Sequence, residues 1–345
     1  MRVAVDGLLA GYISIPKAAS MAAYSVPMPK LTPGNHTVVV RKVSEDNSQK
    51  SAKGVLGFGG IEITGGNSKL FSFGARPEPA LRRIEFIGDS DTAGWCADGS
   101  PSTGDNADKY EDAYQTWAQQ IARNVSADVM VEAVSGYGVT KSSSPIQAVL
   151  DNTLGFDNSL AWDYTKWVPD AVVILIGPND EESILSSSSS SSNKTAPELK
   201  SSKFIAAYLQ LLDMVATNYK AAPTKPKIVH VCGGSLNGLD PCSDIQAANR
   251  QFNDKSSTNH GLTGYFTTIT TEHWDLINGK GHGSGKTPNN GCDGPYPTPI
   301  FPPRLTHTAA GVFQRSFYCN NNTEVVMIHS DEYVYVDLRA RTLIG

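Results

Sequence analysis

The sequence predicts an α/β protein, a parallel sheet with helices on both faces, preceded by a small β-sandwich. Three observations predict it. Residues 1–78 hold short β-rich runs separated by turn residues, with no helical periodicity. From residue 81 strand-like and helix-like segments alternate, as they do in a parallel sheet with crossover helices. Pro77-Glu78-Pro79 falls between the two patterns, so two domains are expected, over residues 1–78 and 79–345.

In the first region Val3 and Val5 alternate with polar neighbours, and His36 to Val43 is a strong strand after the Pro33-Gly34 turn. Gly57 to Thr64 is another, closed by Gly65-Gly66-Asn67. In the second region Ile84, Phe86 and Ile87 form a short apolar run that suits a buried strand. Tyr114, Trp117, Ala118, Ile121 and Val125 keep helical spacing, and Asp128 to Val134 is an apolar strand. Asp170 to Gly177 has the composition of a strand buried on both faces. Phe204, Tyr208, Leu211, Leu212, Val215 and Tyr219 define a second amphipathic helix. Lys227 to Cys232 is a strand, Ile245 to Phe252 a helix, and Tyr265 to Ile269 a last strand. His230, inside an apolar strand, reads as a satisfied core histidine, and Ser186 to Ser192 as a loop insertion.

Composition narrows the function. With 40% hydrophobic and 18% charged residues the chain describes a soluble globular protein. Its formal charge, 29 − 34 = −5, comes with no basic patch, so nucleic acid is not an expected partner. No segment has the length of apolar sequence needed to span a bilayer, so no membrane partner is expected, and a monomer is. The first residues, Met1 to Gly7, lack a signal-peptide apolar core and read as the middle of a strand. The five cysteines form no metal-type Cys-x-x-Cys pair and no ligand cluster stands out, so neither metal nor cofactor is expected. Asn-x-Ser/Thr sequons start at Asn35, Asn124, Asn193 and Asn321, weak support for secretion.

Chemistry concentrates at three strand ends: Gly88-Asp89-Ser90, Ser135-Gly136-Tyr137-Gly138 and Gly177-Pro178-Asn179-Asp180. In a parallel sheet such C-terminal ends converge on one edge, where open α/β folds place their ligands. Acyl transfer needs a nucleophilic hydroxyl, a base to take its proton, and donors aimed at the tetrahedral oxyanion. Ser90 supplies a hydroxyl, and the Ser90 and Gly136 N–H groups with the Asn179 amide supply donors. Taken singly, each motif has a plainer reading, as turn residues or a helix cap. One active site is the simpler account of three successive strand ends. A lipase elbow is disfavoured, because no Gly-x-Ser-x-Gly surrounds Ser90.

These three blocks resemble those of the SGNH hydrolases, also called GDSL-like esterases. Arg82-Arg-Ile-Glu-Phe-Ile-Gly-Asp-Ser90, Trp162-Asp163 and Trp167 to Asp180 are similar to the family-two carbohydrate esterases, as is Pro33 to Val43 to their leading β-sandwich. The resemblance covers roughly residues 1–294. It implies a flavodoxin-like three-layer α/β/α hydrolase domain behind a jelly-roll β-sandwich that lacks its first strands. It implies an extracellular esterase, acting without a cofactor, that removes acetyl groups from plant cell-wall polysaccharide or oligosaccharide, xylan or glucomannan. Ser90 would be the nucleophile; its N–H, Gly136 and Asn179 would form the oxyanion hole; Asp293 would orient His307, the base.

The sequence departs from the family at Asp91, where an aliphatic residue is common, at Pro178, where a small one is, and at the base. Gly291-Cys-Asp-Gly294 begins the last block, but Pro295-Tyr-Pro-Thr-Pro299 follows in place of a histidine. None of the seven histidines stands at an Asp-x-His or Asp-x-x-His spacing. His307-Thr-Ala-Ala-Gly311 resembles the histidine turn displaced by a proline-rich insert, with His273 and His282 as weaker alternatives. Residues after about 294 are expected to be foreign to the family, with Val325 to Val336 as unpaired β-type sequence in place of a helix. The alternative function is therefore a catalytically impaired or inactive glycan-binding relative without a placed base. Cys96 and Cys292, on the implied rim of the site, are the expected disulfide, with Cys232 and Cys242 the competing pair.

Overall fold

The computed structural model describes residues 1–15, 22–27, 31–32, 34–45, 56–64, 69–73, 82–95, 97, 111–140, 145–154, 157–180, 196–232, 241–254, 258–268, 323–330 and 335–342. Within 82–268 five parallel strands form one sheet: β7 (Arg82–Gly88), β8 (Ala127–Ala133), β11 (Ala171–Leu175), β12 (Lys227–Cys232) and β13 (Thr263–Thr268). Across the sheet they run β8-β7-β11-β12-β13. Counted within this unit the order is 2-1-3-4-5, the doubly wound order whose switch point lies between the first and third strands, here β7 and β11.

The inner strands carry apolar residues on two faces because both are covered, whereas the edge strand β13 is largely exposed. On β7, Phe86 points to one face and Ile87 to the other. Phe86 meets Trp117 edge-to-face at 5.1 Å, in a cluster that includes Ala118 and Ala122 of helix α2 (Trp117–Asn124). Ile87 joins the larger cluster under α3 (Gln147–Leu150), α4 (Ala196–Asn218) and α5 (Cys242–Asp254), with Tyr208, Leu211, Leu212 and Phe252 fully buried. Helix α1 (Ser90–Ala93) is a single turn directly after β7.

The expected elements lie where their periodicity put them, with two differences. Helix α2 begins at Trp117 rather than at Tyr114. Tyr114 sits in a 3-10 turn over Ala113–Gln115, capped by the Asp112 carboxylate, and Thr116 is extended and breaks it from the helix. A polar hairpin of β9 (Asn152–Leu154) and β10 (Asp157–Ala161) was without a sequence signal. His230 is buried in the core as expected, its Nδ1 3.0 Å from the Tyr208 hydroxyl, and burial lowers its pKa to about 4, so the ring is neutral; its Nε2 has no hydrogen-bond partner among the described residues. Cys232 and Cys242 are bridged, with Cα atoms 5.4 Å apart; Cys96 and Cys292 lie outside the described residues.

The β-rich unit has two antiparallel sheets. One runs β2 (Leu8–Tyr12), β1 (Arg2–Val5), β4 (Gly34–Arg41), β14 (Thr323–Ser330), β6 (Lys69–Phe73). The other runs β3 (Ala22–Pro27), β15 (Tyr335–Thr342), β5 (Leu56–Thr64). Val3, Val5, Val38 and Val40 of the first sheet pack with Val26 of the second. The expectation of unpaired β-type sequence at the end of the chain is corrected. Strand β14 is hydrogen-bonded between β4 and β6, and β15 between β3 and β5. Backbone N–H and C=O groups of a strand require partners, and the N-terminal strands supply them on both sides.

The two units meet around Asp112 and Tyr114. Arg2 donates to Asp112 Oδ2 at 2.9 Å, and the Tyr12 hydroxyl donates to the same oxygen at 2.7 Å. The guanidinium groups of Arg2, Arg41 and Arg123 lie 4.7, 4.1 and 4.0 Å from the centre of the Tyr114 ring. The Val43 carbonyl accepts from Ala113 N–H at 2.9 Å, carrying the chain after β4 onto the parallel-sheet unit.

Candidate active site

Ser90 stands at the first position of α1, half-buried, where β7 ends. Asp89 is the N-cap: its Oδ1 accepts from Asp91 N–H at 3.2 Å and its backbone carbonyl from Ala93 N–H at 2.9 Å. These bonds wind the chain into a helical turn immediately after the strand and hold Ser90 at its head. The Asp89 carboxyl is pushed well above its ordinary pKa, first by complete burial and then by the charges of Asp91 and Asp180.

After β8 the chain turns at Ser135-Gly136. Gly136 has φ +79°, a left-handed conformation that favours glycine, and a Cβ there would meet nothing within 4 Å among the described residues. Gly138 is glycine for the opposite reason: a Cβ would fall 2.4 Å from Asp180 Oδ1. Asp180, fully buried, receives Val139 N–H at 2.9 Å and Thr140 N–H and hydroxyl at 2.7 Å each. Three donors on one carboxylate fix the far side of the turn. Its near side is held by a residue from the β-rich unit: Ser135 N–H donates to Glu45 Oε2 at 2.6 Å. Burial raises the Glu45 pKa, although the Ser135 N–H, Glu111 and Lys42 pull it back.

Asn179, half-exposed after β11, ties the other two strand ends together. Its Nδ2 donates to Asp89 Oδ2 at 3.2 Å and to the Tyr137 carbonyl at 2.8 Å. One side chain therefore bridges the residue before Ser90 and the residue after Gly136. Both amide hydrogens are engaged, the longer bond being the one to Asp89.

Of the residues expected at the site, the structure brings Ser90, Gly136 and Asn179 to neighbouring strand ends at the switch point. Asp293 and His307 lie outside the described residues, as do His273 and His282. Sequence reasoning missed Glu45. Nothing in Lys42-Val-Ser-Glu45 distinguishes it from a solvated charge at a strand end, and its burial follows from the docking of two units. It placed Asp180 in the third strand-end motif but gave it no role at the Gly136 turn; a signal existed in Gly138, whose missing Cβ leaves room for a carboxylate.

The fold and these contacts define a class: a doubly wound α/β protein with a serine at the head of a helical turn, a glycine turn and a bridging asparagine at one sheet edge. The profile of the GDSL-like Lipase/Acylhydrolase family matches residues 86–276, more than half of the chain, and the chain belongs to that family. Among curated proteins it is 33% identical over 220 residues to "Cellulase/esterase CelE" of Acetivibrio thermocellus, covering 61% of this chain and 24% of that one. It is 27% identical over 201 residues to "Acetylxylan esterase / glucomannan deacetylase" of Cellvibrio japonicus, covering 56% and 52%. The matched region thus spans about a quarter of the first relative and about half of the second. A family two carbohydrate esterase from Clostridium thermocellum, solved in complex with cellohexaose, aligns with a TM-score of 0.45 at 29% identity, over 57% of this chain and 56% of that one. Among the described residues, no helix is long and apolar enough to cross a membrane.

Proposed function

We propose that the protein is a serine carboxylic ester hydrolase that removes acetyl groups from plant cell-wall polysaccharide, xylan or glucomannan, outside the cell. The observation that carries this reading is the bridge from Asp89 through the Asn179 amide to Tyr137, which sets Ser90 beside a glycine turn. The name of the Cellvibrio japonicus relative supports the acetyl group and the two polysaccharides, and that of the Acetivibrio thermocellus relative supports an esterase. In this reading Ser90 Oγ attacks the acetyl carbonyl carbon while His307, oriented by Asp293, takes the hydroxyl proton. The oxyanion is held by the N–H groups of Ser90 and Gly136 and by the Asn179 amide, which exchanges its longer bond to Asp89 for the charged oxygen. Collapse expels the sugar oxygen, protonated by the imidazolium. Water then cleaves the acetyl-enzyme to acetate. In place of the expected division at 1–78 and 79–345, the pairing of β14 and β15 with the N-terminal strands supports a jelly-roll β-rich unit that includes these two strands, joined to a hydrolase unit over residues 82–268.

The test is release of p-nitrophenol from its acetate ester and of acetate from acetylated xylan and glucomannan. Wild type is expected to be active and Ser90→Ala inactive, and an organophosphonate ester is expected to label Ser90 alone. Labelling that persists in Ser90→Ala contradicts the assignment. A second reading, a glycan-binding relative of impaired activity, is favoured by the absence of any Asp-x-His or Asp-x-x-His spacing. It expects xylan or glucomannan binding with no Ser90-dependent turnover.

A further inference from the structure

We propose that Glu45, from the β-rich unit, is a positioning residue for hydrolysis: its carboxyl holds the Ser135-Gly136 turn that presents the oxyanion-binding N–H. This rests on the esterase reading of the same site.

The turn is gripped at both ends. On the far side Asp180 takes the N–H groups of Val139 and Thr140; on the near side Glu45 Oε2 takes Ser135 N–H at 2.6 Å. Between the two grips lie only Gly136, Tyr137 and Gly138. The Tyr137 N–H is tied back to the Val134 carbonyl at 3.2 Å, and its carbonyl accepts from Asn179. Asp180 belongs to the strand-end motifs themselves, whereas Glu45 reaches the turn from 90 residues away in sequence. Glu45 is in turn fixed at its own backbone, where its N–H donates to Glu111 Oε2 at 2.9 Å. Both glutamates are almost fully buried, with 6% and 5% exposure. Such buried, hydrogen-bonded carboxyls are costly to place and rigid once placed.

The chemical consequence follows from geometry. A glycine in the left-handed region has wide conformational freedom, so the direction of its N–H is set by its neighbours. Glu45 anchors the Val134–Ser135 peptide, one unit before the peptide that carries the Gly136 N–H, so only the torsions at Ser135 are left to set that direction. An oxyanion donor acts only when it is aimed in advance at the developing charge, and a misplacement of about 1 Å can cost on the order of a hundredfold in rate. The β-rich unit thus completes the active site of the hydrolase unit.

The test compares Glu45→Ala, Glu45→Gln and Glu45→Asp with wild type and Ser90→Ala. Glu45→Ala is expected to lower kcat about ten- to a hundredfold while KM changes less than about twofold, because the donor acts in the transition state. Glu45→Gln keeps an oxygen acceptor and is expected to restore most of kcat. Glu45→Asp keeps the charge but withdraws it by one methylene, and it lowers kcat even if the alanine variant does not fold. Amide hydrogen exchange over residues 134–138, read independently of activity, is expected to quicken in Glu45→Ala and not in Glu45→Gln. Ser90-dependent turnover that is unchanged in folded Glu45→Ala or Glu45→Asp overturns this inference alone. So does a glutamine variant as impaired as the alanine one. Turnover that survives Ser90→Ala overturns the esterase reading of the site and this inference with it.

Discussion

At the scale of single residues, Asn179 carries more of the site than its small size suggests, because its one amide joins two strand ends. Asn179→Ala removes the proposed oxyanion donor and the bridge together. Turnover is expected to fall by at least about a hundred- to a thousandfold, the usual cost of one lost donor. Asn179→Asp is informative beside it, since a carboxylate accepts where the site needs a donor and sits against the Tyr137 carbonyl. It is expected to be no better than alanine in kcat measurements on p-nitrophenyl acetate, and wild-type turnover in either folded variant would reduce Asn179 to a structural tie. Asp180 acts differently. It touches no substrate in this reading, and Asp180→Ala strands three donors in a buried turn. A loss of roughly 3 kcal/mol in unfolding free energy is expected from breaking a buried charged hydrogen-bond network, with activity falling as the Gly136 turn loosens. Chemical denaturation of the variant checks it.

At the scale of elements, β7 and β8 carry a buried acidic pair beneath the α4 face, and its protonation couples to stability. Glu85 is completely buried, accepts from the Tyr219 hydroxyl at 2.8 Å, and has its pKa raised to about 7, by burial above all. Glu132 on the neighbouring strand is raised well above its ordinary value by burial and by the Glu85 charge. A raised carboxyl pKa means the folded protein holds a proton that the unfolded chain has released. Stability is therefore fullest below pH 4.5 as far as this pair is concerned, and falls as pH rises from 4.5 through about 7. The fall from Glu85 is on the order of 3 kcal/mol, and the total should shrink in Glu132→Gln, which removes the second raised carboxyl. Urea unfolding at pH 5 and pH 8 measures it; a flat profile in the wild type contradicts the assignment.

The same elements show what a sequence discloses. Strands β7, β8, β11 and β12 were legible because burial on both faces writes a continuous apolar run, and α4 and α5 because burial on one face writes a helical stripe. Tyr114 mimicked that stripe: it is apolar-spaced but packs against three guanidinium groups, a preference that periodicity cannot separate from a core contact. Ser90, Gly136 and Asn179 were legible because each sits at the end of such a run. Glu45 was not, since its burial is a property of two units docked together. The partners of β14 and β15 were hidden likewise, because strand pairing over hundreds of residues leaves no local mark.

At the scale of the whole molecule, the last strands hold the β-rich unit together from the inside. Without β14, β4 and β6 lose the strand that joins them; without β15, β3 and β5 lose theirs. Both sheets would then present unpaired edges, a template for aggregation. The unit also carries Arg2 and Arg41, which grip Tyr114 and Asp112, and Glu45, which grips Ser135. Stability and catalysis should therefore fail together when the tail is removed. A chain ending at residue 322 is expected to lose solubility, and whatever soluble fraction remains should show reduced kcat and faster amide exchange over residues 134–138. The arginine–tyrosine contact offers a milder version of the same experiment. Tyr114→Ala removes the ring between three cations, one of which, Arg41, is almost fully buried, and leaves their charges facing each other. A loss of about 2–4 kcal/mol is expected from the lost aromatic packing and the lost cation–π contacts at a buried guanidinium. Differential scanning calorimetry of the variant beside the truncated chain would tell the two apart. If the tail strands are integral, truncation lowers the transition temperature at least as far as Tyr114→Ala does. A soluble truncated chain with wild-type melting and wild-type turnover would show that residues 323–342 play no part in either sheet.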